Sequence, residues 1–257
     1  MTDIQPTHPG VIRIAHCGDP QLGFCEPRGT EEAYQADLAR CERLIEKLNG
    51  MDIDLVYLAG DAVHRNTDLE RDWPRLLTLF HKPVAMAPGN HDMGQTLTLE
   101  NLNRFLRVFG SDRASFKIGK WRFICGNSQY WLPTAALPRK AEYEAWFDAE
   151  LAAAKANGEP VIFASHISPF IYHAGEEDSY ENAPLVLRPT LLEKLQNAGV
   201  RFHLGGHTHR MIARAHGGMV MLNAETTCCN FDDRPLGFRL FELADNGDYT
   251  WNFVPLS

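Results

Sequence analysis

The spacing of hydrophobic and polar residues changes period repeatedly along the 257 residues. Val11–Cys17 alternates and carries β-branched residues early, which predicts a first strand. Thr30 followed by Glu31 and Glu32 marks a helix start, and the helical pattern runs to Asn49-Gly50. Residues 53–59 form a continuous apolar run, the pattern of a strand buried on both faces. Asp72-Trp73-Pro74 reads as the N-terminus of a second helix, with proline in its first turn. A short strand is expected at 84–87 and a helix over Leu99–Phe109, stopping at Gly110. Ala114–Ile118 and residues 121–126 flank Gly119-Lys120, which predicts a hairpin. A long Ala- and Glu-rich helix follows at 140–156, then a buried strand at Val161–Ala164 and a helix at 190–198. From Met211 the chain is mostly strand, with turns at Gly217-Gly218 and Asn246-Gly247. Alternating strands and helices with a β-rich tail predict an α/β fold of two packed sheets with helices outside. No break separates two parts, so residues 1–257 read as a single domain.

Five polar motifs follow strand-like stretches. They are Asp19-Pro20-Gln21, Gly60-Asp61, Gly89-Asn90-His91-Asp92, His166 and Gly206-His207-Thr208-His209. Strands deliver their ends to one edge of a sheet, so these loops can meet in space. The candidate metal ligands are Asp19, Gln21, Asp61, Asn90, His166, His207 and His209. Two carboxylates, two amides and three imidazoles are too many for one cation and about right for two. Alternation past a strand end is expected to turn Asp19 and Gln21 to the same side. Oxygen and nitrogen donors without thiolate suit Mn²⁺, iron or Zn²⁺. Two dications, two carboxylates and a bridging hydroxide leave about one net positive charge, which attracts phosphate.

That local charge matters because the chain as a whole carries −8. The acidic balance argues against nucleic acid as a partner. No stretch resembles a membrane span or a secretory leader, so a cytoplasmic location away from membranes is expected. The six cysteines include no Cys-x-x-Cys pair and read as reduced thiols, with Cys228-Cys229 the exception worth watching.

The ordered motifs resemble the calcineurin-like metallophosphoesterases over residues 11–243. The resemblance implies a four-layer sandwich, two central mixed β-sheets flanked by helices. It also implies a first cation held by Asp19, Gln21, Asp61 and His209, and a second held by Asp61, Asn90, His166 and His207. A hydroxide bridging the cations would attack phosphorus in line. His91 would protonate the leaving oxygen and Asp92 would orient its ring. The family usually has histidine where this chain has Gln21. Gln21 is taken as the ligand, with His64 beside the ligands or against substrate. Two subgroups share the Asp-x-Gln motif. One is a cytosolic calcineurin-like phosphoesterase-domain group regarded as Ser/Thr protein phosphatases. It also has stretches comparable to Asn127-Ser128-Gln129 and Pro235-Leu236-Gly237-Phe238-Arg239. The other comprises Mn-dependent ADP-ribose/CDP-alcohol diphosphatases.

Phosphomonoester hydrolysis, on a phosphoprotein or a small phosphorylated metabolite, is therefore the leading expectation. Phosphodiester or nucleotide diphosphate hydrolysis is the alternative. A non-catalytic scaffold is disfavoured because His91 is intact. Substrate choice is assigned to loops 20–30, 128–140, 166–188 and 225–236; the oligomeric state is not legible. Several residues carry a plain alternative: His16 as packing, Arg65 and Arg210 as surface cations, Tyr130 and Trp131 as core. The acidic stretch 176–181 reads either as a solvated loop or as a lid disfavouring polyanions.

Overall fold

The computed structural model describes residues 2–133 and 138–256. Among the described residues there are eleven strands and five α-helices, which alternate apart from one hairpin until the chain closes with five consecutive strands. The first sheet contains β1 (Val11–Cys17), β2 (Leu55–Leu58), β3 (Val84–Met86), β10 (Gly237–Ala244) and β11 (Tyr249–Pro255), in the order β11-β10-β1-β2-β3. The second contains β4 (Ala114–Ile118), β5 (Trp121–Cys125), β6 (Val161–Ala164), β7 (Val200–Gly205), β8 (Ile212–His216) and β9 (Met219–Asn223), in the order β4-β5-β6-β7-β9-β8. The helices are α1 (Glu31–Asn49), α2 (Leu69–Leu79), α3 (Leu99–Phe109), α4 (Pro138–Ala156) and α5 (Arg188–Asn197). This is the four-layer α/β sandwich expected from the sequence.

Alternation decides which layer each side chain joins. Leu55 and Tyr57 of β2, with Ile12 and Ile14 of β1, face the second sheet and pack with Phe123, Ile162, Leu204 and Leu222. The intervening Val56, Leu58, Ala15 and Cys17 face the other way, onto Leu44, Trp73 and Phe105 of α1, α2 and α3. The second sheet packs its outer face on α4 and α5 through Phe163, Met221, Leu151 and Leu195. Both central regions are thus buried on two faces, which explains their unbroken apolar runs.

The helix ends follow from local chemistry. Thr30 caps α1 by accepting the Ala33 N–H at 3.2 Å, and Thr98 caps α3 by accepting from Asn101. Gly110 ends α3 in the left-handed region that favours glycine. One boundary differs from expectation. Helix α2 begins at Leu69, so Pro74 lies inside it rather than in its first turn. The burial of Leu69, Trp73 and Leu76 at helical spacing extends the helix upstream, and a 3₁₀ turn at Asn66–Asp68 leads into it.

Within the first sheet β1, β2 and β3 run parallel, and so do β5, β6, β7 and β9 within the second. Their carboxyl ends open onto one shared edge, where ligands sit in open parallel sheets. Of loop 128–140, residues 134–137 lie outside the described residues. No described helix is long and apolar enough to cross a membrane.

Candidate metal centre

All five motifs sit just past the carboxyl ends of β1, β2, β3, β6 and β7, and the structure brings the seven candidate ligands together. Asp19, Gln21, Asp61, Asn90, His166, His207 and His209 are each buried. One donor atom each from Asp61, His166 and His207 falls within 4.8 Å of the others. His166 Nε2 lies 3.0 Å from Asn90 Oδ1, 3.1 Å from His207 Nδ1 and 3.4 Å from Asp61 Oδ2. On the other side, His209 Nε2 stands 3.9 Å from Asp19 Oδ1.

Backbone carbonyls set the tautomer of every ring. His166 Nδ1 donates to the Ala59 carbonyl at 2.6 Å, His207 Nε2 to Tyr180 at 2.8 Å and His209 Nδ1 to Cys229 at 2.6 Å. In the neutral form of each ring, the opposite nitrogen therefore presents a lone pair to the cluster. Asn90 spends its amide N–H groups on Gln95 Oε1 and the Tyr180 hydroxyl, so its oxygen points the same way. Lone pairs of Asn90, His166 and His207 thus converge on one another and on the Asp61 carboxylate. Gln21 Oε1 is buried with no hydrogen-bond partner. Once His166 gives up its second proton these acceptors face one another with no donor between them and repel, and a buried orphan acceptor such as the Gln21 oxygen is costly. Cations relieve both, so the residues present fit a metal centre.

The centre is also where the backbone is strained. Among the described residues, the non-glycines at positive φ are Asp19 (33°), Gln21 (37°), Asp61 (50°), Gln95 (65°), His207 (71°) and His209 (50°). Five are candidate ligands and the sixth touches Asn90. Such conformations cost on the order of 1 kcal/mol each and persist where surrounding structure imposes them. They also correct one expectation: Asp19 and Gln21 are aimed by left-handed steps, not by strand alternation. Gln21 N–H donates to the Asp61 carbonyl at 2.8 Å, locking the first two motifs together. Gly89 makes room here, because a Cβ there would come within 2.0 Å of Asp61 Oδ1.

Charge and burial work against each other in this pocket. Burial pushes the Asp19 carboxyl up to about 8; His166 pulls it down and Asp61 adds to the rise. Burial also raises Asp61, but His166, His91 and His207 outweigh it and hold that carboxyl well below the usual range. His166 is pushed up to about 9, because Asp61 and Asp19 overcome the burial that opposes its charge. His207 and His209 fall to about 3 and about 4, chiefly through burial.

The His91-Asp92 pair differs from expectation. Asp92 does not orient the His91 ring. Its Oδ1 accepts Ala62 N–H at 2.8 Å and its Oδ2 accepts Gly89 N–H at 2.9 Å, tying the second motif to the third. The ring is held instead by the His64 carbonyl, 2.8 Å from His91 Nδ1, while Nε2 meets the Gln95 amide at 3.1 Å. His91 N–H donates to Asp61 Oδ1 at 2.8 Å. His64 thus acts through its backbone, and its ring packs on Phe24 and His91.

Other candidates resolve into packing. His16 is fully buried, bonds the Gly205 carbonyl at 2.8 Å, and is pushed down to about 3 by burial. Tyr130 stacks on Tyr143 in the core. Ser128 Oγ accepts the Ile167 N–H at 3.0 Å and so steadies the His166 loop. The acidic stretch is largely exposed, as the solvated-loop reading expects, and it is also braced from within. Glu176 accepts the N–H groups of Ile171, Tyr172 and His173, and fully buried Arg188 donates to the Ala174, Glu176 and Ala183 carbonyls. That internal bracing places Tyr180 over the ligands. Gln95 and Tyr180 were missed by motif reasoning; only their position, next to one motif and inside the acidic stretch, could have flagged them.

The chain is similar to known proteins along most of its length. A family model described as calcineurin-like phosphoesterase matches residues 12–211. The chain is 30% identical to the serine/threonine-protein phosphatase CPPED1 of Bos taurus, over 90% of this chain and 80% of that one. It is 27% identical to the Danio rerio protein of the same name, over 95% and 85%. Among solved structures, the fold is similar to a dimetal phosphatase from Danio rerio, with TM-score 0.62 and 15% identity over 96% of both chains. It is also similar to GAP50, the anchor in the inner membrane complex of Plasmodium, with TM-score 0.63 and 16% identity over 96% and 85%.

Proposed function

Because the chain belongs to the calcineurin-like phosphoesterase family of hydrolases, we propose that it hydrolyses phosphomonoesters, of a phosphoprotein or a small phosphorylated metabolite, at a centre of two transition-metal ions. The observation that carries this reading is the meeting of Asp61, Asn90, His166 and His207 acceptor atoms within hydrogen-bonding range. Asp19, Gln21, Asp61 and His209 would hold the first ion, and Asp61, Asn90, His166 and His207 the second; Mn, Fe or Zn suits the donors. Bound there, the pair would supply Lewis acidity, acidifying water and neutralising phosphate charge.

The remaining work falls to the chain. The carbonyls of Ala59, Tyr180 and Cys229 fix the three rings before substrate arrives, so little reorganisation is left for the reaction. His91 N–H fixes Asp61, the carboxylate that would serve both ions. The His91 ring, turned by the His64 carbonyl, presents Nε2 at the rim, where it gives a proton to the leaving oxygen. Gln95, which meets that nitrogen, releases it when substrate enters. The site draws on both sheets, so residues 1–257 work as one domain, and a cytoplasmic location belongs to the same reading.

Turnover of p-nitrophenyl phosphate, bis-p-nitrophenyl phosphate and ADP-ribose with added Mn²⁺ tests the proposal. The monoester is expected to be cleaved fastest. Preference for the diester or for ADP-ribose would move the assignment to phosphodiesterase or diphosphatase. Failure to take up any transition ion would end it.

A further inference from the structure

Two thiols beside the centre stand close together. Cys25 Sγ and Cys228 Sγ are 3.3 Å apart across a separation of 203 residues. Cys25 lies on the segment that leads from Gln21 to α1. Cys228 lies on the loop after β9, next to groups that hold the centre. In that loop Thr226 Oγ1 donates to the Asp19 carbonyl at 2.6 Å, and the Cys229 carbonyl anchors His209. The two sulfurs therefore join the two loops that carry Gln21 and brace His209.

Cys25, Asp37 and Cys228 have the composition of a metal site, with donor atoms within 4.8 Å of one another. The local geometry opposes that use. Asp37 Oδ2 already accepts the N–H groups of Gly23, Phe24 and Cys25 at 3.0, 3.1 and 3.2 Å, and its other oxygen is paired with Arg40. The Arg40 guanidinium also lies 3.6 Å from Cys25 Sγ, where it repels a cation and favours a thiolate. Two thiolates on one tetrahedral zinc, with bonds of ~2.3 Å, would stand roughly 3.8 Å apart, farther than these sulfurs do.

We infer that Cys25 and Cys228 form an oxidisable dithiol that a peroxide converts to a disulfide. Cys25 is only partly buried and Cys228 is buried, which sets the order of events. The Cys25 sulfur attacks a peroxide oxygen, the O–O bond breaks, and water leaves behind a sulfenic acid. The Cys228 sulfur then attacks the Cys25 sulfur, the S–O bond breaks, and a second water carries off the Cys228 proton. Two thiols lose two electrons and hydrogen peroxide is reduced to two waters. Closing the bridge brings the sulfurs to about 2.05 Å, which draws the two loops together and slows turnover. The effect on turnover rests on the phosphoesterase reading; the bridge does not.

The test treats the full chain with hydrogen peroxide, blocks free thiols and maps peptides by mass spectrometry without reductant. The expected product is one bridge joining the Cys25 and Cys228 peptides. It is absent in Cys25→Ser and Cys228→Ser and kept in Cys229→Ala. A bridge lost in Cys229→Ala, or Cys25 oxidised without any bridge, overturns the inference. In the bridged protein, p-nitrophenyl phosphate turnover should fall roughly tenfold to a hundredfold, recover with dithiothreitol, and stay unaffected by peroxide in Cys25→Ser. Unchanged turnover in fully bridged protein overturns the regulatory part. Absence of turnover in the reduced protein counts against the phosphoesterase reading instead, and the peptide map still decides the bridge.

Discussion

Around Asn90, His166 and His207 the donor atoms approach to 3.0 and 3.1 Å, whereas Asp19 and His209 face each other at 3.9 Å and the Gln21 side-chain oxygen has no polar partner. The anchors differ too. His166 is fixed by Ala59, directly past β2, but His209 is fixed by Cys229 on a loop after β9. The half around Asn90 is drawn together more closely and offers two imidazoles, although it too leans on a loop through Tyr180; the other offers one imidazole, and its Gln21 amide oxygen, a weaker donor than imidazole, is left without a partner. Two ions held by one cluster need not be held equally. In the proposed centre the half containing Gln21 should fill last and empty first.

Asp61→Asn is the severest way to break the comparison, because this residue is proposed to serve both halves. The substitution keeps the volume but removes the charge shared between them. Both ions should be lost and kcat/KM should fall by roughly a thousandfold or more. Metal analysis together with p-nitrophenyl phosphate turnover checks it. Retention of one ion with substantial turnover would show that Asp61 is not common to the two sites.

His91→Ala separates chemistry from assembly, since the ring is proposed to belong to neither half. The backbone N–H that fixes Asp61 survives the change. Metal content should stay near wild type while turnover of an alkyl phosphate falls about a hundredfold. Turnover of p-nitrophenyl phosphate should fall less, because its leaving group is already a good anion. Equal losses on both substrates would remove the acid role.

These residues could be read from sequence because their chemistry dictates side-chain type. A run of Asn90, His91 and Asp92 after a buried strand has no packing explanation, and the Thr30 cap with Glu31 and Glu32 announces α1 equally plainly. What could not be read is aim. Asp19, Gln21, Asp61, His207 and His209 all adopt positive φ, which aspartate and histidine tolerate better than most residues but which residue type alone does not announce. The groups that turn the rings are the carbonyls of Ala59, His64, Tyr180 and Cys229, and a carbonyl leaves no mark on residue identity. Asp92 shows the consequence. Its presence was legible, but its partners are the backbone N–H groups of Ala62 and Gly89 rather than the neighbouring ring.

Protons sharpen the comparison further. Without cations, His166 keeps a proton up to about 9 and Asp19 up to about 8, one group on each side of the centre. Both lie above their unfolded values, so between those values the folded, cation-free protein binds more protons than the unfolded chain. Stability contributed by the His166 charge is complete below about 6.5 and is lost as pH rises through about 9. The buried Asp19 carboxyl destabilises progressively over the same rise. Cation-free protein should therefore melt at lower temperature as pH climbs from 6 to 9. Cations must displace these protons, so Mn²⁺ affinity should move the opposite way, up to about tenfold per pH unit for each proton released. Calorimetric titration at several pH values checks this, and a flat affinity profile would refute it.

The smallest effect, and the most specific to the weaker half, concerns Gln21. An imidazole there is a better donor to Mn²⁺, Fe²⁺ or Zn²⁺ than an amide oxygen. Histidine also tolerates the left-handed conformation that Gln21 adopts better than most residues do. Gln21→His should therefore raise affinity at the weaker site by a few-fold to about tenfold, equivalent to about 1.4 kcal/mol at most, and leave the tighter site unchanged. Gln21→Ala should lower it, with two-step metal titration resolving the ions. His64→Ala is the control, because its backbone carbonyl still turns His91 after the ring is removed. If His64→Ala alone empties the weaker site while Gln21→Ala leaves it filled, the ligand there is His64, and the buried Gln21 oxygen needs another explanation.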